Sequence, residues 1–222
     1  MSAISNFEFQ NSRPRSGRNN NAPWPRTATN PAPISIALWI FMGVATALFT
    51  LFLAAYAMRM DATDWSPIAM PWQLWLSTIS LIAASLMLHV ASKANRSALA
   101  RNYLIVAGTL GVLFLGAQSW GWYTLQTLHV TAAGNPAGSF FYLLTAIHGL
   151  HVVGGLVGWV RTERFARFGQ RGGGSVHDLQ WRVRLCARYW DFLLAVWIVL
   201  FAALGWLTPD IVRFVCGNSL TS

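Results

Sequence analysis

Five long apolar runs constrain this chain more than any other feature. They cover residues 34–58, 71–91, 102–125, 138–160 and 186–207. Each is long enough to cross about 30 Å of hydrocarbon at roughly 1.5 Å of rise per residue. Backbone in lipid must satisfy its own hydrogen bonds, and unbroken runs of this length do so as helices. The sequence therefore predicts an all-α membrane protein with five transmembrane helices. Only 10% of its residues are charged, against about 25% in soluble domains.

The net charge is +9, which by itself would suggest a nucleic-acid partner. Its distribution argues against one. All but Arg59 and Arg213 of the 16 Lys and Arg fall in the N-terminal tail, in the second connection (Lys93, Arg96, Arg101) or in the fourth. Cationic loops stay on the cytoplasmic side, so the N-terminus is expected in the cytoplasm and the C-terminus in the periplasm. Three parts follow: a disordered cytoplasmic tail (1–33), a five-helix domain (34–208) and a short periplasmic tail (209–222). The tail precedes the first apolar run with no cleavable signal, so that run is expected to be the anchor. Cys186 and Cys216 fall on opposite membrane sides and cannot pair.

The fourth run carries the most informative residues. His148 and His151 lie one turn apart, and Gly155 continues their face, with Gly158 or Trp159 beyond it. A polar stripe with small neighbours faces another helix or a cavity, not lipid. Gly149, Gly154, Gly155 and Gly158 are the candidate helix-packing positions. Asp191 lies about one turn inside the fifth run. It is read either as a carboxylate at a helix N-terminus paired with Arg188, or as an intramembrane carboxylate of a proton or lipid site. His148, His151 and Asp191 form the candidate polar intramembrane site. His89 reads as an interfacial histidine and His129 as a loop residue. The fourth connection (161–185) reads as a long basic loop broken at Gly172-Gly173-Gly174, which lacks the ending of a phosphate loop.

A b-type haem held by two histidines needs them on facing helices at similar depth. His148 and His151 share one helix, His89 lies near the inner surface and His129 near the outer one. Copper or zinc would want three or four ligands. The residues thus predict no cofactor, metal or catalytic group in this chain. A membrane cytochrome is the less favoured alternative. A small transporter would need broken helices or repeats, and none stands out.

His148-Gly149-Leu150-His151-Val152 followed by Gly154-Gly155 resembles the His-Gly-Leu-His-Val-x-x-Gly-Gly signature of subunit III of haem–copper terminal oxidases. Four other segments are similar to that family in the same order: Leu38-Trp39-Ile40-Phe41 with Tyr56-Ala57-Met58-Arg59, Ser77-Thr78-Ile79-Ser80-Leu81 with His89-Val90-Ala91, Gln118-Ser119-Trp120-Gly121-Trp122, and Tyr189-Trp190-Asp191-Phe192. There are departures. Ala45, Gly121 and Leu194 stand where the family carries carboxylates, and Asp191 stands where it carries His. The resemblance implies an accessory subunit of a cytochrome c or quinol oxidase in the bacterial inner membrane. It would pack on subunit I beside subunit II, bind phospholipid and hold no redox centre, with haem and copper in the partner subunits. The alternative within the same group is an accessory subunit of a nitric oxide reductase.

Overall fold

The computed structural model describes residues 31–60, 65, 68, 70–94, 97–131, 134–168 and 176–207. They form five helices: α1 (Pro31–Arg59), α2 (Gln73–Lys93), α3 (Ser97–Thr127), α4 (Pro136–Phe168) and α5 (Val176–Trp206). All five are long and apolar enough to cross a membrane. The expectations for the N-terminal tail up to residue 30 and for the C-terminal tail fall outside the described residues, as do Cys216 and Gly172-Gly173-Gly174.

Several boundaries differ from the sequence reading, among them the start of α3, at Ser97 rather than residue 102. Residues 31–33, assigned to the tail, are the first turn of α1, where proline is tolerated because the first amides have no helical partner. α4 begins at Pro136, two residues before the apolar run. Asn135 caps it, its side-chain oxygen accepting from the Ala137 amide at 3.0 Å. The fourth connection is not one long loop. α4 continues to Phe168 and α5 starts at Val176, because a helix does not stop where the bilayer does.

The connection between α2 and α3 spans only residues 94–96, so the two must pack antiparallel. Leu74, Leu81 and Leu88 recur every seven residues on α2, and Ser77, Ala84 and Ala91 repeat three positions later. All six are buried. This is the apolar seam of left-handed helix packing, with small residues that let backbones approach. Polar groups stitch α2 to both neighbours. Gln73 donates to Thr124 at 3.0 Å and Gln118 donates to Ser77 at 2.8 Å, both joining α2 and α3. Trp197 of α5 donates to Thr78 at 2.9 Å.

α3 receives two indoles in notches left by glycine. Trp159 of α4 lies over Gly108 and donates to the Leu104 carbonyl at 2.6 Å. Trp190 of α5 lies over Gly111 and is fully buried. Gly116, farther along α3, has nothing within 4 Å of an added Cβ. α3 ends in a Schellman motif. The Val130 amide returns to the Leu125 carbonyl at 3.0 Å, the His129 amide bonds the Gln126 carbonyl at 3.0 Å, and His129 takes a left-handed φ of 59°.

α1 is the least embedded helix. It touches α4 and α5 through an aromatic row: Phe41 against His151 and Tyr189, Phe49 against His148 and His151, and Tyr56 against Phe140. Its other face exposes Ile36, Trp39, Ile40, Val44, Leu51 and Met58.

Candidate functional site

His148 sits where four helices meet. Phe49 of α1, Phe114 of α3 and Trp197 of α5 surround its ring, with centroids 5.2–6.2 Å away. It is fully buried, and neither ring nitrogen has a hydrogen-bond partner. His151, one turn on, is half-buried. Its Nδ1 lies 2.8 Å from the Ile147 carbonyl of its own helix. The His151 carbonyl in turn accepts from the Tyr189 hydroxyl at 2.9 Å, joining α4 to α5.

Asp191 does not join them. It accepts from Ser85 at 2.5 Å, and its carboxylate lies 3.0 Å from His89 Nε2. Its partners are therefore on α2, not at Arg188 one turn back and not at the two histidines of α4. The expected three-residue site is in fact two places: a buried aromatic box around His148, and a polar clasp of Asp191, His89 and Ser85 between α2 and α5. Asp191 and His89 keep 41% and 48% of their side-chain surface exposed. Sequence reasoning left His89 out of the site because no local pattern links it to a residue 102 positions away.

The four packing glycines also separate. At Gly155 an added Cβ would lie 3.1 Å from both Leu193 and Tyr189, so this residue does set the approach of α4 to α5. At Gly149 and Gly154 the nearest atoms are at ordinary contact distance, 3.8 and 3.7 Å. At Gly158 there is nothing within 4 Å. The reason is a cavity. α1 stands off from α4 and α5 and leaves about 440 Å³ lined by Gly154, Gly155 and Gly158, by Ile34, Leu38 and Phe41 of α1, and by Tyr189 and Cys186. Arg161 and Arg182 lie at its edge. A second groove of about 570 Å³ runs on the other side of α1. Trp39, Gly43 and Thr46 line it together with Arg188 and Asp191. Cys186 is a buried free thiol.

The positions that depart from the family pattern are apolar here. Ala45 is buried on α1, one turn from both Phe41 and Phe49. Gly121 is buried beside Leu74, and Leu194 is half-buried on α5. One carboxylate that the sequence reading passed over, Glu163, is buried near the end of α4 and pairs with Arg167 one turn later. Among the described residues no three His, Cys, Asp or Glu gather where they could hold a metal ion.

Five packed helices long and apolar enough to cross a membrane define a multi-pass helical membrane protein. The chain matches no protein-family model. It is 31% identical over 170 residues to the cytochrome c oxidase subunit 3 of a Synechocystis species, covering 73% of this chain and 70% of that one. It is 30% identical over 183 residues to the cytochrome c oxidase subunit 3 of Thermostichus vulcanus, covering 78% of this chain and 87% of that one. A probable cytochrome c oxidase subunit 3 of Mycobacterium leprae matches at 31% over 108 residues, and there the match spans half of the relative. The chain belongs to the cytochrome c oxidase subunit 3 family.

Proposed function

We propose that this chain is a non-catalytic accessory subunit of a haem–copper respiratory oxidase in a bacterial cytoplasmic membrane. It stabilises subunit I by packing, beside subunit II, and it binds phospholipid. Haem and copper reside in the partner subunits. The observation that carries this reading is family membership over most of a five-helix bundle in which several polar side chains join one helix to another. Gln73, Ser77, Thr78, Ser85, Gln118, Tyr189 and Asp191 all bond from one helix to another. The cavity between α1, α4 and α5 fits the lipid part of the proposal. It is apolar along Ile34, Leu38 and Phe41 and has two guanidinium groups at one end, which suits an acyl chain with its phosphate. That end is the cytoplasmic one in this reading, since Lys93, Arg101, Arg161, Arg164, Arg167, Arg182, Arg184 and Arg188 lie at the same end of the bundle.

The test is a mild-detergent pull-down from native membranes, with the masses of the copurified chains, a reduced-minus-oxidised spectrum and oxygen uptake. A haem-bearing chain with oxygen uptake is the expected result. Nitric oxide consumption without oxygen uptake would transfer the chain to a reductase complex. A haem signal that stays with this chain alone would overturn the proposal.

A further inference from the structure

His148 lies near the middle of the apolar run of α4, and rings from three other helices shut it in. Phe49 of α1 stands 6.2 Å away between centroids, Phe114 of α3 5.6 Å and Trp197 of α5 5.2 Å. A charged imidazole donates from both nitrogens and needs acceptors or water around it. This box gives neither nitrogen a partner. Nor do the titratable neighbours supply a counter-charge. On α4 the next such group on the same face is His151, a second imidazole. On α5 the Tyr189 hydroxyl is spent on the His151 carbonyl. α1 and α3 face the ring with phenyl groups. The carboxylates among the described residues lie elsewhere. Asp191 is turned to Ser85 and His89 on α2, and Glu163 and Asp178 lie toward the α4–α5 connection.

The walls of the box are not equally fixed. Trp122 of α3 donates to Thr145 of α4 at 3.1 Å, and Trp197 of α5 donates to Thr78 of α2 at 2.9 Å. α1 grips through rings instead. Its Thr46 and Thr50 hydroxyls bond back to the Met42 and Thr46 carbonyls of α1 itself. Grooves of about 440 and 570 Å³ run along its two sides and give water a way in. We propose that α1 is an acid-released strap: it stays docked while His148 is neutral and leaves the bundle when that imidazole takes up a proton. The direction follows from proton counting. A hydrated histidine charges near pH 6.5, whereas the closed box admits the neutral ring alone, so the released arrangement binds more protons than the docked one. The docked arrangement is therefore fully favoured above about pH 6.5 and is lost as the pH falls below it, by up to about tenfold per pH unit.

Cys186 can report the strap. Its thiol is buried on α5, across the cavity from Ile34, Leu38 and Phe41 of α1. Cys216→Ser leaves it the only thiol of the chain. The full chain in mild detergent is treated with 4,4′-dithiodipyridine at about pH 7.5 and about pH 5.5, with and without His148→Leu. Both chains carry the same thiol and meet the same reagent, so the ratio of their labelling rates isolates the imidazole. That ratio is expected to rise about tenfold at the lower pH. Amide exchange, taken as the same ratio, is expected to rise in α1 and to stay level in α2 and α3. The rise should survive His151→Gln. A labelling ratio that stays level overturns the proposal. An equal rise of exchange in every helix also overturns it, in favour of unfolding of the whole bundle by acid. Loss of the rise in His151→Gln overturns it too, by moving the sensor to the half-buried ring.

Discussion

The contact of Trp159 with Gly108 offers the sharpest test of the packing. Alanine at 108 would place a Cβ 2.1 Å from the indole ring, where a real contact needs about 3.5 Å. The ring cannot swing away freely, because its Nε1 donates to the Leu104 carbonyl at 2.6 Å. If the indole moves, a buried donor is orphaned, at about 1–3 kcal/mol. If the helices move apart instead, overpacking costs a similar 1–3 kcal/mol. The alanine returns about 1 kcal/mol in helix propensity. The net expectation for Gly108→Ala is about 0–2 kcal/mol of destabilisation. The control lies eight residues along the same helix. Gly116 has nothing within 4 Å, so Gly116→Ala should be neutral or stabilising by up to about 1 kcal/mol. Thermal or denaturant midpoints of both variants in the same detergent measure the difference. Equal midpoints would refute the notch, and with it the claim that α3 and α4 approach through Gly108.

Three further outcomes follow from named contacts. His148→Leu removes two buried nitrogens that have no partner and is expected to raise stability by about 1–3 kcal/mol in a thermal melt; a lower midpoint would show that the imidazole is bonded in the folded protein. Asp191→Leu breaks the bonds to Ser85 and His89 and should cost about 1 kcal/mol, at the roughly 0.6 typical of interhelical bonds in membranes. Asp191→Asn, which still accepts from Ser85, should fall between it and the native chain, and a native midpoint for the leucine variant would sink the clasp. His129→Gly relieves a left-handed residue and should gain about 0.5–1 kcal/mol; an unchanged or lower midpoint would refute the strain argument at the end of α3.

The number and class of the helices are legible in the sequence, because hydrocarbon thickness leaves few alternatives for apolar runs of this length. The start of α4 at Pro136, capped by Asn135, was passed over because the apolar run itself begins only at residue 138. The site was less legible, for a physical reason. Helical periodicity tells which residues share a face but not what stands opposite. Gly155 and Gly158 share a face of α4, yet Gly155 meets Tyr189 and Leu193 while Gly158 borders a cavity. Asp191 had a plausible local partner in Arg188, and the carboxylate turned instead to α2, whose Ser85 lies 106 residues away. Only the packing of α2 against α5 could reveal that choice.

The uneven packing bears on how such a subunit works. α2, α3, α4 and α5 are joined by buried seams, hydrogen bonds and seated indoles. α1 is held mainly by Phe41, Phe49 and Tyr56, and grooves of about 440 and 570 Å³ flank it. Local stability follows buried contacts, so α1 should be the first helix to loosen. A ligand that fills the space beside α1 stabilises the whole bundle only to the extent that it binds the closed arrangement better than the open one. An acyl chain between α1 and α4 meets that condition, since its contacts with Ile34, Leu38 and Phe41 on one side and with Gly154 and Gly155 on the other exist together only when α1 is docked. Under the proposed function, lipid bound there would reinforce subunit packing through one helix.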